Sequence, residues 1–113
     1  LMAQARWDEV GVIAEQVLRR DPDDYLELTR LAFAKFNSQH FPEAELVYRR
    51  VVELYPSDIE MRAALGWAVL SMGKQREAAA LFREVLDVSP EHESATAGLR
   101  LASAPPRFLK YWH

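Results

Sequence analysis

Three prolines, Pro22, Pro56 and Pro90, are evenly spaced along the chain. A fixed long period marks stacked copies of one supersecondary unit, none of which can bury its apolar face alone. Shifting the chain by the same interval brings much more into register: Leu31, Leu65 and Leu99; Glu9, Glu43 and Glu77; Val10, Ala44 and Ala78; Ala14, Tyr48 and Phe82. Val17, Val51 and Val85 follow, then Leu18, Val52 and Leu86, while Trp7, Phe41 and Gln75 align less well. Ala32 and Gly66 share a position held by small residues. The turns Asp21-Pro22-Asp23-Asp24, Tyr55-Pro56-Ser57-Asp58 and Ser89-Pro90-Glu91-His92 line up behind them.

Each unit divides into two helices. Tyr25 to Ser38 carries Leu28, Leu31, Ala32 and Phe36 at helical spacing. Gln39-His40-Phe41 makes a break, and Pro42 suits the first turn of a new helix, where its missing N–H is one that would go unpaired anyway. Glu43 beside it favours the positive end of the helix dipole. That second helix runs to about Leu54 with Ala44, Val47, Tyr48, Val51 and Val52 on one face, and Pro56 closes the unit by disfavouring helix at Tyr55. The next unit repeats the plan, with Ile59 to Met72, then Gly73 as the turn residue, then Arg76 to Val88. No window alternates with period two, so no sheet is expected.

A helix pair with this period and punctuation resembles the tetratricopeptide repeat (TPR) family. Leu31-Ala32 and Leu65-Gly66 look like its Leu-Gly pair, Ala44…Tyr48 and Ala78…Phe82 like its Ala-x-x-x-Phe, and Pro56 and Pro90 like its closing prolines. The resemblance covers about residues 1–104 and implies an all-α, right-handed superhelix of about six helices. Its parts are a partial first repeat (1–24), two repeats (25–58 and 59–92) and a capping helix (93–104), followed by an aromatic and basic tail (105–113). Lys35 stands where the family usually places an aromatic, and Leu28, Arg62 and Thr96 stand in the place of its Trp. Arg100 occupies the small-residue position of Ala32 and Gly66, so the last helix is expected to end the array and leave Arg100 in water.

The resemblance also implies that the first helix of each unit lines a concave, peptide-binding groove. The residues facing it would be Leu26, Thr29, Arg30, Phe33, Phe36 and Asn37 on one helix. On the next they would be Glu60, Ala63, Ala64, Trp67, Leu70 and Ser71, and on the cap Ser94, Ala97, Gly98 and Leu101. Candidate groove contacts are therefore Thr29, Arg30, Phe33, Asn37, Trp67, Leu70, Ser71 and Leu101. Phe33 and Trp67 would be neighbours, with Ala63, Ala64, Ala97 and Gly98 leaving open space beside them. Arg30 and Asn37 would hold a carboxylate or extended backbone. The alternative is that Phe33 and Trp67 are core, as Phe36 is expected to be. Co-chaperones of this family that grip acidic heat-shock-protein C-termini use several cations. Here Arg30 alone is cationic among the corresponding residues and Glu60 would repel a carboxylate, so that clamp is not expected.

Nothing points to catalysis, a cofactor or a metal. The chain has no cysteine, and its histidines, His40, His92 and His113, are scattered, with His40 and His92 in turns where solvation is expected. Arg19-Arg20 and Arg49-Arg50 read as solvated faces, with Glu45–Arg49 an i,i+4 pair. A net charge of −3 argues against a general nucleic-acid partner, and no apolar run is long enough for membrane insertion. The tail contains Arg107, Lys110 and His113 besides Phe108, Leu109, Tyr111 and Trp112. It either covers the end of the superhelix, begins a further element, or docks on a neighbour. The stretch from Leu1 to Arg20 lacks a breaker and reads either as a remnant of a helix pair or as one helix; both leave an apolar flank open. Homo-oligomerisation through that flank or the tail, a swapped contact, or missing residues upstream is expected, the chain starting at Leu1 rather than Met. The first reading is a protein–protein interaction module binding a partner peptide with apolar anchors, as an assembly or secretion chaperone. The alternatives are a non-catalytic segment of a larger bacterial enzyme such as a transferase, and a self-associating scaffold. The residues name no compartment; the cytoplasm is favoured over the periplasm.

Overall fold

The computed structural model describes residues 2–104. They form six helices and, among the described residues, no strand: α1 (Met2–Arg20), α2 (Tyr25–Asn37), α3 (Phe41–Leu54), α4 (Ile59–Ser71), α5 (Gln75–Val88) and α6 (Glu93–Ala102). The three helices that open units start on side-chain caps spaced by the sequence period. Asp24 accepts from Glu27 N at 3.0 Å and Asp58 from Met61 N at 3.1 Å, and His92 Nδ1 accepts from Ala95 N at 3.0 Å. Each satisfies a backbone donor that the first helical turn leaves unpaired. The turns inside the pairs also match. Gln39 at φ +64° and Gly73 at φ +80° occupy one position and take the left-handed conformation. Glycine adopts it freely, whereas Gln39 holds it at a cost of about 1 kcal/mol.

At the corresponding place in the first unit stands Ala5, a strong helix former, and the chain does not turn. Met2–Arg20 is thus one continuous helix rather than a helix-pair remnant.

The helices stack in order. α3 lies between α2 and α4, α5 lies between α4 and α6, α6 also touches α4, and α1 packs against α2. The core follows the aligned positions: Ala44, Tyr48 and Val51 of α3 and Ala78, Phe82 and Val85 of α5 are buried, with Leu65, Ala68 and Val69 of α4 between them. Phe82 explains the small residues around it. A Cβ added at Gly66 would come within 2.7 Å of its ring, and one at Gly98 within 2.3 Å. Arg100, at the aligned position of Ala32 and Gly66, is exposed as expected.

Ion pairs tie successive units together. Arg49 bonds Glu45 on its own helix and reaches Glu77 on α5, while Lys74 Nζ meets Glu45 at 3.1 Å. Arg49 is therefore a half-buried bridge and not part of a solvated face. Burial pushes the Glu45 carboxyl up, but hydrogen bonds from Arg49 and Lys74 outweigh it and hold the group below its ordinary value. His92 also departs from the solvated reading. Its ring is largely covered, and Nε2 lies 2.7 Å from Glu60 Oε1 while Nδ1 caps α6. With Nδ1 accepting, the neutral ring carries its proton on Nε2 and donates to Glu60.

Candidate functional site

α4 and α6 touch, whereas α2 and α4 leave a cleft of 360 Å³ between them, lined by Phe33, Phe36, Asn37, Tyr48, Ala64 and Trp67. The residues over the core ring differ between the two places. Gly98 of α6 lies over Phe82, while the aligned residue of α4, Ala64, lines the cleft together with Tyr48.

The walls are aromatic and mutually braced. Phe33 stands edge-on to Tyr48 with ring centres 6.1 Å apart, and Trp67 edge-on to Phe82 at 5.4 Å. Phe36 packs on Phe41 at 5.2 Å. Such T-shaped pairs favour one ring orientation over others. Trp67 Nε1 donates to Ser94 Oγ at 2.8 Å, so α6 fixes the indole from behind. Phe33 keeps 41% of its surface in water. Two polar groups interrupt the apolar lining. Asn37 Nδ2 donates to Phe33 O at 2.8 Å, which leaves its side-chain oxygen available. Tyr48 lines the cleft at 1% exposure, and its hydroxyl has no hydrogen-bond partner among the described residues. Burial pushes that hydroxyl's pKa well above the ordinary tyrosine value, so it stays protonated and can both donate and accept.

The expected groove residues do not all meet here. Phe33, Asn37 and Trp67 line the cleft. Thr29 is buried at 7% exposure and its hydroxyl donates to Leu26 O at 2.9 Å. Arg30 is exposed but paired with Glu27 at 2.7 Å. Leu70 packs on the core, and Ser71 donates its hydroxyl to Trp67 O at 2.8 Å. Leu101 is exposed on α6, away from the cleft lining. Ala63 and Gly98 supply no open space: Ala63 is buried and the volume over Gly98 is filled by Phe82. The tail residues Phe108, Leu109, Tyr111 and Trp112 lie outside the described residues. Tyr48 escaped the sequence reading as a cleft residue because it aligns with a core Phe. The available signal was its hydroxyl, which Phe82 lacks.

No helix of the described residues is long and apolar enough to cross a membrane. Among the same residues no three His, Asp or Glu side chains converge as metal ligands.

No family model and no curated protein matches the sequence. Solved structures do match. The first TPR domain of Spaghetti (RPAP3), bound to the HSP90 peptide SRMEEVD, superposes with a TM-score of 0.82 at 27% identity, covering 90% of this chain and 81% of that one. The second TPR domain of human RPAP3, in complex with the HSP70 peptide SGPTIEEVD, gives 0.83 at 22% identity, covering 92% and 87%. The Sgt2 TPR domain of Aspergillus fumigatus gives 0.78 at 17% identity, covering 93% and 78%.

Proposed function

Since the chain is a tetratricopeptide-repeat domain, we propose that it is an interaction module that seats one apolar or aromatic side chain of a partner peptide in the α2/α4 cleft. The observation that carries this is the cleft itself: aromatic walls, a brace from α6, and Tyr48 in the lining, whose hydroxyl has no hydrogen-bond partner among the described residues. A largely buried polar group without a protein partner costs free energy that a ligand's polar tip recovers. A tyrosine or tryptophan side chain combines the apolar body the walls want with such a tip. The RPAP3 neighbours hold peptides ending in two glutamates, valine and aspartate. Here Arg30 is already neutralised by Glu27, and Glu60 adds negative charge. An acidic C-terminus is therefore the poorer match. An assembly or secretion chaperone that shields an apolar segment would use the same cleft.

The test is selection from a random peptide display library, followed by affinity measurement on the enriched sequences. The expected winners share an aromatic anchor. Phe33→Ala should weaken them about tenfold or more, as for an exposed interface aromatic. Tyr48→Phe, which only copies the residue at the matching position 82, should erase the preference for Tyr over Phe at the anchor. Enrichment of acidic C-termini with no anchor, unaffected by Phe33→Ala, would overturn the reading.

A further inference from the structure

Among the described residues, α1 is the one second-type helix with a neighbour on a single side. α3 and α5 are each enclosed by two helices, and the comparison inside the molecule shows what α1 lacks. Val51 and Val85 are 0% exposed, whereas Val17 at the aligned position is 37% exposed. Ile13 is 59% exposed where Val47 and Leu81 are half-buried. With Val10, these residues form a stripe on the flank of α1 turned away from Gly11, Ala14 and Leu18, which face α2. The missing cover has the shape of a helix, because a helix covers this flank in both complete units.

We infer that the cover is a second copy of this chain, with two α1 helices pairing antiparallel about a two-fold axis through Val10, Ile13 and Val17. Charge decides both partner and orientation. At about 100° and 1.5 Å per residue, Glu9 and Arg20 fall on the same edge of the stripe, near its opposite ends. An antiparallel two-fold pairs an edge with the same edge of the partner, so Glu9 of one copy meets Arg20 of the other, twice over. A parallel pairing would instead set this edge against the opposite one, which holds Ala14 and Leu18, and would leave Glu9 and Arg20 unmatched. The interface is isologous and closed, so it yields dimers rather than filaments.

Sedimentation equilibrium on the full chain tests this. The mass should move from one chain to two as concentration rises from about 1 μM to about 1 mM, the range of a single helix-pair contact. Ile13→Glu changes an exposed side chain and should give a monomer throughout, with an unchanged circular dichroism spectrum. Glu9→Arg and Arg20→Glu should each weaken the dimer about fivefold or more, since each loses two exposed ion pairs and gains repulsion. The double variant E9R/R20E should recover most of that loss. Deleting residues 105–113 should leave the dimer intact. A monomer at the highest concentration, a dimer indifferent to Ile13→Glu, failure of the charge swap to recover, or loss of the dimer with the tail would each overturn the inference.

Discussion

Replacing Gly98 by alanine puts the packing of the last three helices to a quantitative test. The new Cβ would lie 2.3, 2.5 and 2.6 Å from three atoms of the Phe82 ring. Carbon atoms in contact prefer about 3.5–4.0 Å, so the ring must retreat by roughly 1 Å. It has little room: Phe82 is fully buried, Gly66 lies against it, and Trp67 stands edge-on to it at 5.4 Å. Overpacking of this kind costs about 1–3 kcal/mol, with the upper half expected for a braced ring. Against that, alanine gains about 1 kcal/mol over glycine in a helix. The net effect is a loss of about 1–2 kcal/mol, read as a lower urea midpoint with unchanged slope. Gly11→Ala is the control. Its Cβ would meet Ala34 and Leu31 at 3.7 and 3.8 Å, ordinary contacts, so the same substitution should stabilise by about 0.5–1 kcal/mol. Propensity is common to both variants, so the opposite signs isolate the clash. If Gly98→Ala is as stable as the parent while Gly11→Ala gains, α6 does not approach Phe82 in this way and the explanation of the cleft falls with it.

Asp58 both caps α4 and accepts the Tyr25 hydroxyl, so Asp58→Ala should cost about 1–2 kcal/mol in thermal unfolding. The bond to Asp58, aided by burial, pushes the Tyr25 hydroxyl from 10.0 up to about 12. Because the folded-state value is the raised one, the associated stability is present below pH 10 and lost between pH 10 and 12; Asp58→Asn should return Tyr25 to the ordinary range in absorbance titration at alkaline pH, with Tyr25→Phe as reference. Arg49→Met strips Glu45 of a partner and should cost about 1 kcal/mol at neutral pH, after discounting for solvent screening of a half-buried guanidinium. Since the Glu45 carboxyl is held low, that stabilisation exists above its ordinary value and fades as pH falls, so the two acid-unfolding curves should converge. His92→Ala should lose about 1 kcal/mol through the α6 cap, and His92→Asn, which keeps a side-chain acceptor, should recover much of it in the same melts.

The even spacing of Pro22, Pro56 and Pro90 was enough to place helix pairs, turns and core positions, because each is a local consequence of spacing. Apolar residues recurring every three or four positions define a face, Pro and Gly punctuate it, and residues such as Val51 and Val85 must be equivalent if the units are. The aromatic pair Phe33 and Trp67 was legible for the same reason.

Spacing locates a side chain around its own helix but says nothing of how near the next helix comes. That distance put Thr29 inside and Phe33 at the edge of a cleft, though both sit on the same stripe of α2. It closed Gly98 onto Phe82 while leaving Ala64 beside open volume over Tyr48. The long-range partners of His92 and Arg49, Glu60 and Glu77, lie 32 and 28 residues away in sequence, beyond any local rule. The sequence by itself determined a stack of helix pairs and its core. The tertiary structure decided where the stack opens, because the gap between two helices is set by the bulk of the side chains that meet there.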